Sequence, residues 1–213
     1  TELGDLVFKG CSNLESFVIP PSVTTIGEDP FMGCKNLKSV TFEKNSNLKR
    51  LSGRPIGSEI TEFTIQNTIE EISDGAFSGL VKLKKVVIEG NSELKALPSS
   101  CFSNCSSLIT VDFGKNSKIK AIKSGAFRNC SKLTFIDIPK SVTLIENSAF
   151  YNCASISSVV IPAGVVNIGA KAFYGWTSDQ TIYIEGRTEA PWSWNVNWYE
   201  NSAATVVWGY EQK

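Results

Sequence analysis

One spacing constrains this chain more than any other property. Phe-x-x-Cys recurs as Phe8/Cys11, Phe31/Cys34, Phe102/Cys105, Phe127/Cys130 and Phe150/Cys153, with variants Phe77/Leu80 and Phe173/Trp176. The Phe residues are separated by 23, 46, 25, 25, 23 and 23 positions. The step of 46 is two repeats of 23 with one degenerate member, in which Ile56 stands in the Phe slot. A second register, Leu-x-x-Val-x-Ile, keeps the same phase from Leu14-Phe17-Ile19 through Leu83-Val86-Ile88 to Ile156-Val159-Ile161. Its eighth copy is Ile182-Ile184, with Asp179 in the Leu slot. A third, Val-x-x-Ile, runs from Val23-Ile26 to Val165-Ile168. Self-similarity at a period of roughly 20–50 residues is the mark of a solenoid or array.

The alternation in Val-x-Ile is the strand period, so both side chains point to one face. A strand of about four residues is not stable alone, but stacked copies pair in parallel and bury a continuous core. At ~4.8 Å between neighbours, eight strands make a ribbon roughly 35–40 Å long. Length varies between the second and third registers, and the coil from Leu37 to Ile60 also loses two residues after Ile56, so that its length returns to 23. Short coils turn with Pro20-Pro21-Ser22, Pro139-Lys140-Ser141 or Pro162-Ala163-Gly164, and long coils insert two residues and turn with Asn45-Ser46, Asn91-Ser92 or Asn116-Ser117. These are turn formers, where insertions cost little. Gly75-Ala76-Phe77 and Gly125-Ala126-Phe127 read as a tight or short helical turn on the far side. The predicted fold is a repeat solenoid with a parallel β-sheet of short strands on its concave face and turns or short helical turns on its convex side. Residues 1–185 form about eight coils of 23–25 residues, and residues 186–213 form a C-terminal cap. All five Trp lie after residue 175, where a dense apolar lid would close the open end of the core.

These residues resemble the BspA-like class of leucine-rich repeats. The likeness rests on Ala126-Phe127-Arg128-Asn129-Cys130-Ser131-Lys132-Leu133 followed by Ile138-Pro139, and it extends over roughly residues 3–185. The tail, with Trp192, Trp194, Trp198 and Val207-Trp208-Gly209-Tyr210, is similar to the terminal cap of bacterial members. Local departures are Arg54-Pro55-Ile56, Leu80 and Trp176. The resemblance implies a bacterial protein, secreted or attached to the cell surface, and for some members adhesion to host or matrix proteins.

Composition narrows the chemistry. Lys+Arg and Asp+Glu both number 21, so no basic footprint for nucleic acid is present. No apolar run reaches the length of a membrane span. The chain opens part-way through a repeat, which reads as a mature or trimmed form without its targeting segment. There is no His, which removes a triad, the commonest general base and the commonest metal ligand. No catalytic constellation stands out against the repeat, so no enzymatic activity, metal or cofactor is expected. Because Leu80 and Trp176 replace Cys in the repeat slot, that slot reads as an apolar packing position, and every Phe-x-x-Cys cysteine is expected to be a buried free thiol. Asn104-Cys105-Ser106 and Asn129-Cys130-Ser131 match a glycosylation sequon but fall inside the repeat template.

What varies freely is the outward side of the strands. One row runs Val18, Thr41, Thr64, Val87, Asp112, Asp137, Val160, Tyr183, and the row beside it Ser16, Ser39, Glu62, Lys85, Thr110, Phe135, Ser158, Thr181. Exposed aromatics favour recognition sites, and like charges side by side cost stability unless compensated. Lys85, Thr110, Asp112, Phe135, Asp137 and Tyr183 are therefore the candidate ligand-binding residues. The expected function is an extracellular, monomeric module that binds a host or extracellular-matrix protein through the repeat surface. The alternatives are a structural spacer in a larger surface protein and carbohydrate binding at the Trp-rich cap.

Overall fold

In the computed structural model, which describes residues 1–211, the chain winds through about nine turns of a parallel β-solenoid. The last two residues of the expected cap, Gln212 and Lys213, lie outside the described residues. Successive coils place one long strand each on one face: β2 (Ser16–Ile19), β4 (Ser39–Phe42), β6 (Glu62–Ile65), β8 (Lys85–Ile88), β10 (Thr110–Asp112), β12 (Phe135–Ile136), β14 (Ser158–Ile161), β16 (Thr181–Glu185) and β17 (Thr205–Tyr210). A second row holds two-residue strands: β1 (Glu2–Leu3), β3 (Thr25–Ile26), β5 (Arg50–Leu51), β7 (Glu71–Ile72), β9 (Ala96–Leu97), β11 (Ala121–Ile122), β13 (Leu144–Ile145) and β15 (Asn167–Ile168).

Pairing is parallel and follows the repeat length. Phe63↔Val86↔Val111↔Ile136 stack one core slot on the next, as do Leu97, Ile122, Ile145 and Ile168 in the short row, where Ile72 pairs with Leu51 in a separate sheet. The long-strand ribbon is not continuous, as the sequence implied. It divides into β2-β4, β6-β8-β10-β12 and β14-β16-β17, with unbonded neighbours at the two joints. The first joint follows the irregular coil between Phe42 and Ile60, which gains two residues at Asn45-Ser46 and loses two after Ile56.

The far side of each coil contains turns and, among the described residues, no helix. Backbone sign explains this. Residues two before and two after each Phe have positive φ: Gly75 and Gly79 around Phe77, Ser100 and Asn104 around Phe102, Gly125 and Asn129 around Phe127, Ser148 and Asn152 around Phe150. A left-handed residue on each side of the Phe prevents a helix from propagating. Alternate N–H groups instead reach the next coil: Gly75 donates to Ser99 O, Phe77 to Cys101 O and Gly79 to Ser103 O, at 2.8, 3.0 and 2.8 Å. Gly and Asn occupy most of these positions because they tolerate φ > 0 best. Long coils show the same economy: Asn45, Asn91 and Asn116 are left-handed, and the following Ser46, Ser92 and Ser117 hydroxyls accept from Leu48, Leu94 and Ile119 N–H.

The core is a column of rings. Phe77, Phe102, Phe127, Phe150 and Phe173 stack nearly parallel with centroids 5.3, 5.6, 5.4 and 5.6 Å apart, all fully buried. Each buried Phe contributes about 1.5–3 kcal/mol of transfer free energy. Ile56 is buried where it replaces Phe, and Cys101 is buried where it replaces Ala.

Two slot assignments change. The Cys slot is not merely apolar. The Cys34, Cys105, Cys130 and Cys153 thiols donate to the Phe8, Phe77, Phe102 and Phe127 carbonyls of the preceding coil at 3.0–3.1 Å. Trp176 keeps this bond, its Nε1–H donating to Phe150 O at 3.0 Å, and only Leu80 gives it up, above the coil where Ile56 replaces Phe. Cys11, expected to be buried, is exposed, and among the described residues no Phe carbonyl of a neighbouring coil accepts from its thiol. All six cysteines are free. In the eighth coil, Asp179 is exposed and Gln180 takes the interior position, its amide donating to Cys153 O and Ile156 O and its Oε1 accepting from Thr177 N–H. A carboxylate there would face the Cys153 and Ile156 carbonyls with only Thr177 N–H to donate to it, whereas the amide satisfies itself on backbone.

Candidate functional site

The strand face carries the candidate residues: Lys85, Thr110 and Phe135 are successive cross-strand partners in one sheet, Asp112 and Asp137 lie on its outer side, and Tyr183 lies apart in the next sheet. Thr110, Asp112, Phe135 and Asp137 line one hollow of about 540 Å³. Lys85 lines a second, of about 290 Å³, with Glu62, Glu89 and Thr41 around the joint between β4 and β6. Tyr183 is half-buried nearer the C-terminal end, its ring 4.7 Å from that of Tyr210 and in register with Val160 and Val207.

The first hollow has a local cause. β10 and β12 are bonded at Thr110↔Phe135 and Val111↔Ile136, and the ladder stops there. Beyond that point a long coil, turning through Gly114-Lys115-Asn116-Ser117, lies against a short one, turning through Pro139-Lys140-Ser141. The two connections splay apart and leave the space between them open. Phe135 stands at its edge with 61% of its surface exposed. Asn116, Ser117, Pro139, Lys140 and Ser141 complete the lining, none of which the strand pattern singled out. The step from a long to a short turn was the available signal for them.

Asp112 and Asp137 are both exposed, and their proximity is relieved without a ligand on one side. Asp112 Oδ1 accepts from Gly114 N–H at 2.8 Å, a turn bond that uses part of its acceptor capacity. Gly114 has φ +64° and approaches so closely that an added Cβ would fall 2.3 Å from Ile88 O. Lys140 Nζ lies 4.0 Å from Glu185 Oε1, and among the described residues it makes no ion pair with either aspartate. The rim thus combines one open aromatic, two carboxylates and several small hydroxyl or amide groups.

The aromatic segment at the C-terminus divides as well. Trp176, Trp194 and Trp198 are buried and Trp208 is half-buried, so these rings pack on the last coils, with Trp198 edge-on to Phe173 at 5.8 Å. Trp192 is the exception, 97% exposed. The buried thiols have no open nucleophile among them. Burial pushes Cys105 up to about 12 and holds Cys101 and Cys130 far above the ordinary thiol value, so they stay protonated, and the thiolate is the reactive form. No helix of the described residues is long and apolar enough to cross a membrane.

Comparison with known proteins supports the repeat reading. The family model for the BspA type leucine-rich repeat region matches six copies over residues 1–53 and 56–183. The fold is similar to a leucine-rich repeat protein from Bacteroides ovatus (TM-score 0.66, 20% identity, 98% of this chain and 59% of that one). It is also similar to a leucine-rich cell surface protein from Faecalibacterium prausnitzii (TM-score 0.61, 25% identity, 97% of this chain and 60% of that one). A leucine-rich repeat protein of T. pallidum matches with TM-score 0.59 and 21% identity over 75% of this chain and 77% of its own. The chain thus spans about three fifths of the first two relatives. No match was found among curated protein sequences. With most of its length matched by that family model, the chain belongs to the BspA-type leucine-rich repeat family.

Proposed function

We propose that this chain is a binding module of a secreted or cell-surface protein, engaging a host or extracellular-matrix protein through its long-strand face. The observation that carries the reading is Phe135, held 61% exposed at the edge of the 540 Å³ hollow beside Asp112 and Asp137. An exposed Phe contributes nothing to the monomer's core, and its burial in a complex is worth roughly 1.5–3 kcal/mol. The aspartates direct a Lys or Arg of the partner to the same place. Membership of the BspA-type family supports an interaction role, and the likeness to the Faecalibacterium cell surface protein supports the location.

The test is a binding screen of the full chain against immobilised extracellular-matrix proteins, repeated with Phe135→Ala and Asp137→Ala. Each substitution is expected to weaken binding by about tenfold, or ~1.4 kcal/mol. A screen with no binder favours the spacer reading. Unchanged affinity in both variants, with losses from substitutions elsewhere, refutes the site.

A further inference from the structure

The second exposed aromatic sits on the opposite kind of element. Trp192 belongs to the connection between β16 and β17, and its 97% exposure means that it packs on nothing in this chain. Yet the backbone that carries it is pinned on both sides. Trp194 N–H donates to Pro191 O at 3.0 Å, closing a turn over Trp192. Ser193 Oγ donates to Val166 O at 2.5 Å, and Asn195 N–H to Ile168 O at 2.8 Å. Upstream, the Arg187 guanidinium donates to Ala163 O and Val165 O at 3.0 and 3.2 Å. The indole is therefore held out from a braced turn, where the usual solution would fold it onto the core beside Trp194 and Trp198.

Trp192 also forms one wall of a hollow of about 620 Å³, whose other walls include Arg187, Thr188, Glu189 and Pro191. The hollow is shallow and open to solvent, a surface for one face of a ligand. The chemistry is specific: an open aromatic face beside a carboxylate, a hydroxyl and a proline. Arg187 anchors itself through Nη2, which donates to both backbone carbonyls, while its Nε–H is buried without an acceptor, and no lysine lines the hollow. A wall with one guanidinium and one carboxylate has no net charge to draw an anionic headgroup, and it is too polar for a purely apolar side chain. It suits a pyranose, whose C–H face lies flat on an indole while its hydroxyls donate to carboxylate and hydroxyl acceptors.

We infer that Trp192, Glu189 and Thr188 form a binding site for a neutral sugar residue at the C-terminal end of the solenoid. The site is separate from the strand face, so it stands or falls independently of Phe135.

The experiment uses the full chain on an array of neutral oligosaccharides ending in glucose, galactose, mannose or N-acetylhexosamine. Sialylated and sulfated glycans and phosphatidylcholine vesicles serve as the other arms. Acrylamide quenching follows Trp192, because the other indoles are buried or half-buried. Binding is expected for at least one neutral class, with Trp192 protected from the quencher. Trp192→Ala is expected to reduce it at least about tenfold, Glu189→Gln to weaken it less, and Phe135→Ala to leave it unchanged. Since Trp192 touches nothing, melting temperature should not move in Trp192→Ala, which separates loss of the site from loss of the fold. The inference is overturned if no neutral glycan binds, if Trp192→Ala binds as wild type does, or if Trp192 is protected instead by vesicles, by anionic glycans alone or by self-association.

Discussion

Cys130 stands between two coils, its side chain fully buried and its thiol donating to Phe102 O at 3.1 Å. Replacing it by Val keeps the slot apolar and filled and removes only the thiol bond, since Phe102 O still accepts from Cys105 N–H at 3.1 Å, at a cost of about 0.5–1.5 kcal/mol. Denaturant unfolding of Cys130→Val is expected to show this loss, and a variant as stable as wild type would return the slot to simple packing. Sequence could show which residues alternate in the slot, but not that Cys and Trp share a donor that Leu lacks. The same thiols set an alkaline limit. Cys105 is raised from 9.0 to about 12 by desolvation, and Cys101, Cys130 and Cys153 are raised by the same cause. In the unfolded chain these thiols ionise near 9, while the folded protein keeps them protonated, so their contribution is complete below pH 9 and is lost as pH rises toward 12. Unfolding midpoints measured across that window are expected to fall, and to fall less in Cys105→Ala. Thiol titration completes the check: Cys11 alone reacts in the native state and all six react in denaturant, whereas fewer than six would mean disulfides.

The coil is the unit in which most of the sequence signal was legible. Three phased registers placed the core strands, the Phe column and the location of the length changes, because each of those depends on side-chain volume repeated at a fixed interval. What escaped them depends on backbone geometry. The choice of turns over helix follows from left-handed residues on both sides of Phe, and the hollow follows from a long turn meeting a short one. Ser100, Ser148 and Lys171 accept φ > 0 there, where sequence alone would not place it. Gly114 tests the same point, since a Cβ would meet Ile88 O at 2.3 Å with φ already at +64°. Gly114→Ala is expected to destabilise the fold by at least about 1–3 kcal/mol, read as a lower thermal midpoint. A tolerated Gly114→Ala would mean that the coils are free to shift apart. Ion pairs between coils add register more than stability: Lys49–Glu70 and Arg50–Glu71 are 2.9 and 3.6 Å apart and exposed on both sides.

Nine stacked rungs without a long-range fold of their own depend on neighbours, so both ends of the column matter most for the molecule as a whole. At the C-terminal end, β17 continues the ribbon, Ile184↔Trp208, and Trp194 and Trp198 are buried against it and against Phe173. We propose that this segment closes the core. Deleting residues 186–213 would uncover Phe173 and Trp176, and the expected result is a lower melting temperature with aggregation; a truncated chain as soluble and stable as the parent contradicts it. The rows on the strand face were readable from alternation, which assigned Phe135 and Asp137 outward. The separation of Tyr183 from the Lys85-Thr110-Phe135 row was not, because it is set by the break between β12 and β14. The most direct test of the central claim is differential hydrogen exchange of the full chain with and without the matrix protein that it binds. Protection is expected in residues 110–117 and 135–141, the two sides of the Phe135 hollow. Protection confined to the turn side or to the ends of the column, with these two segments unchanged, would contradict binding through the strand face.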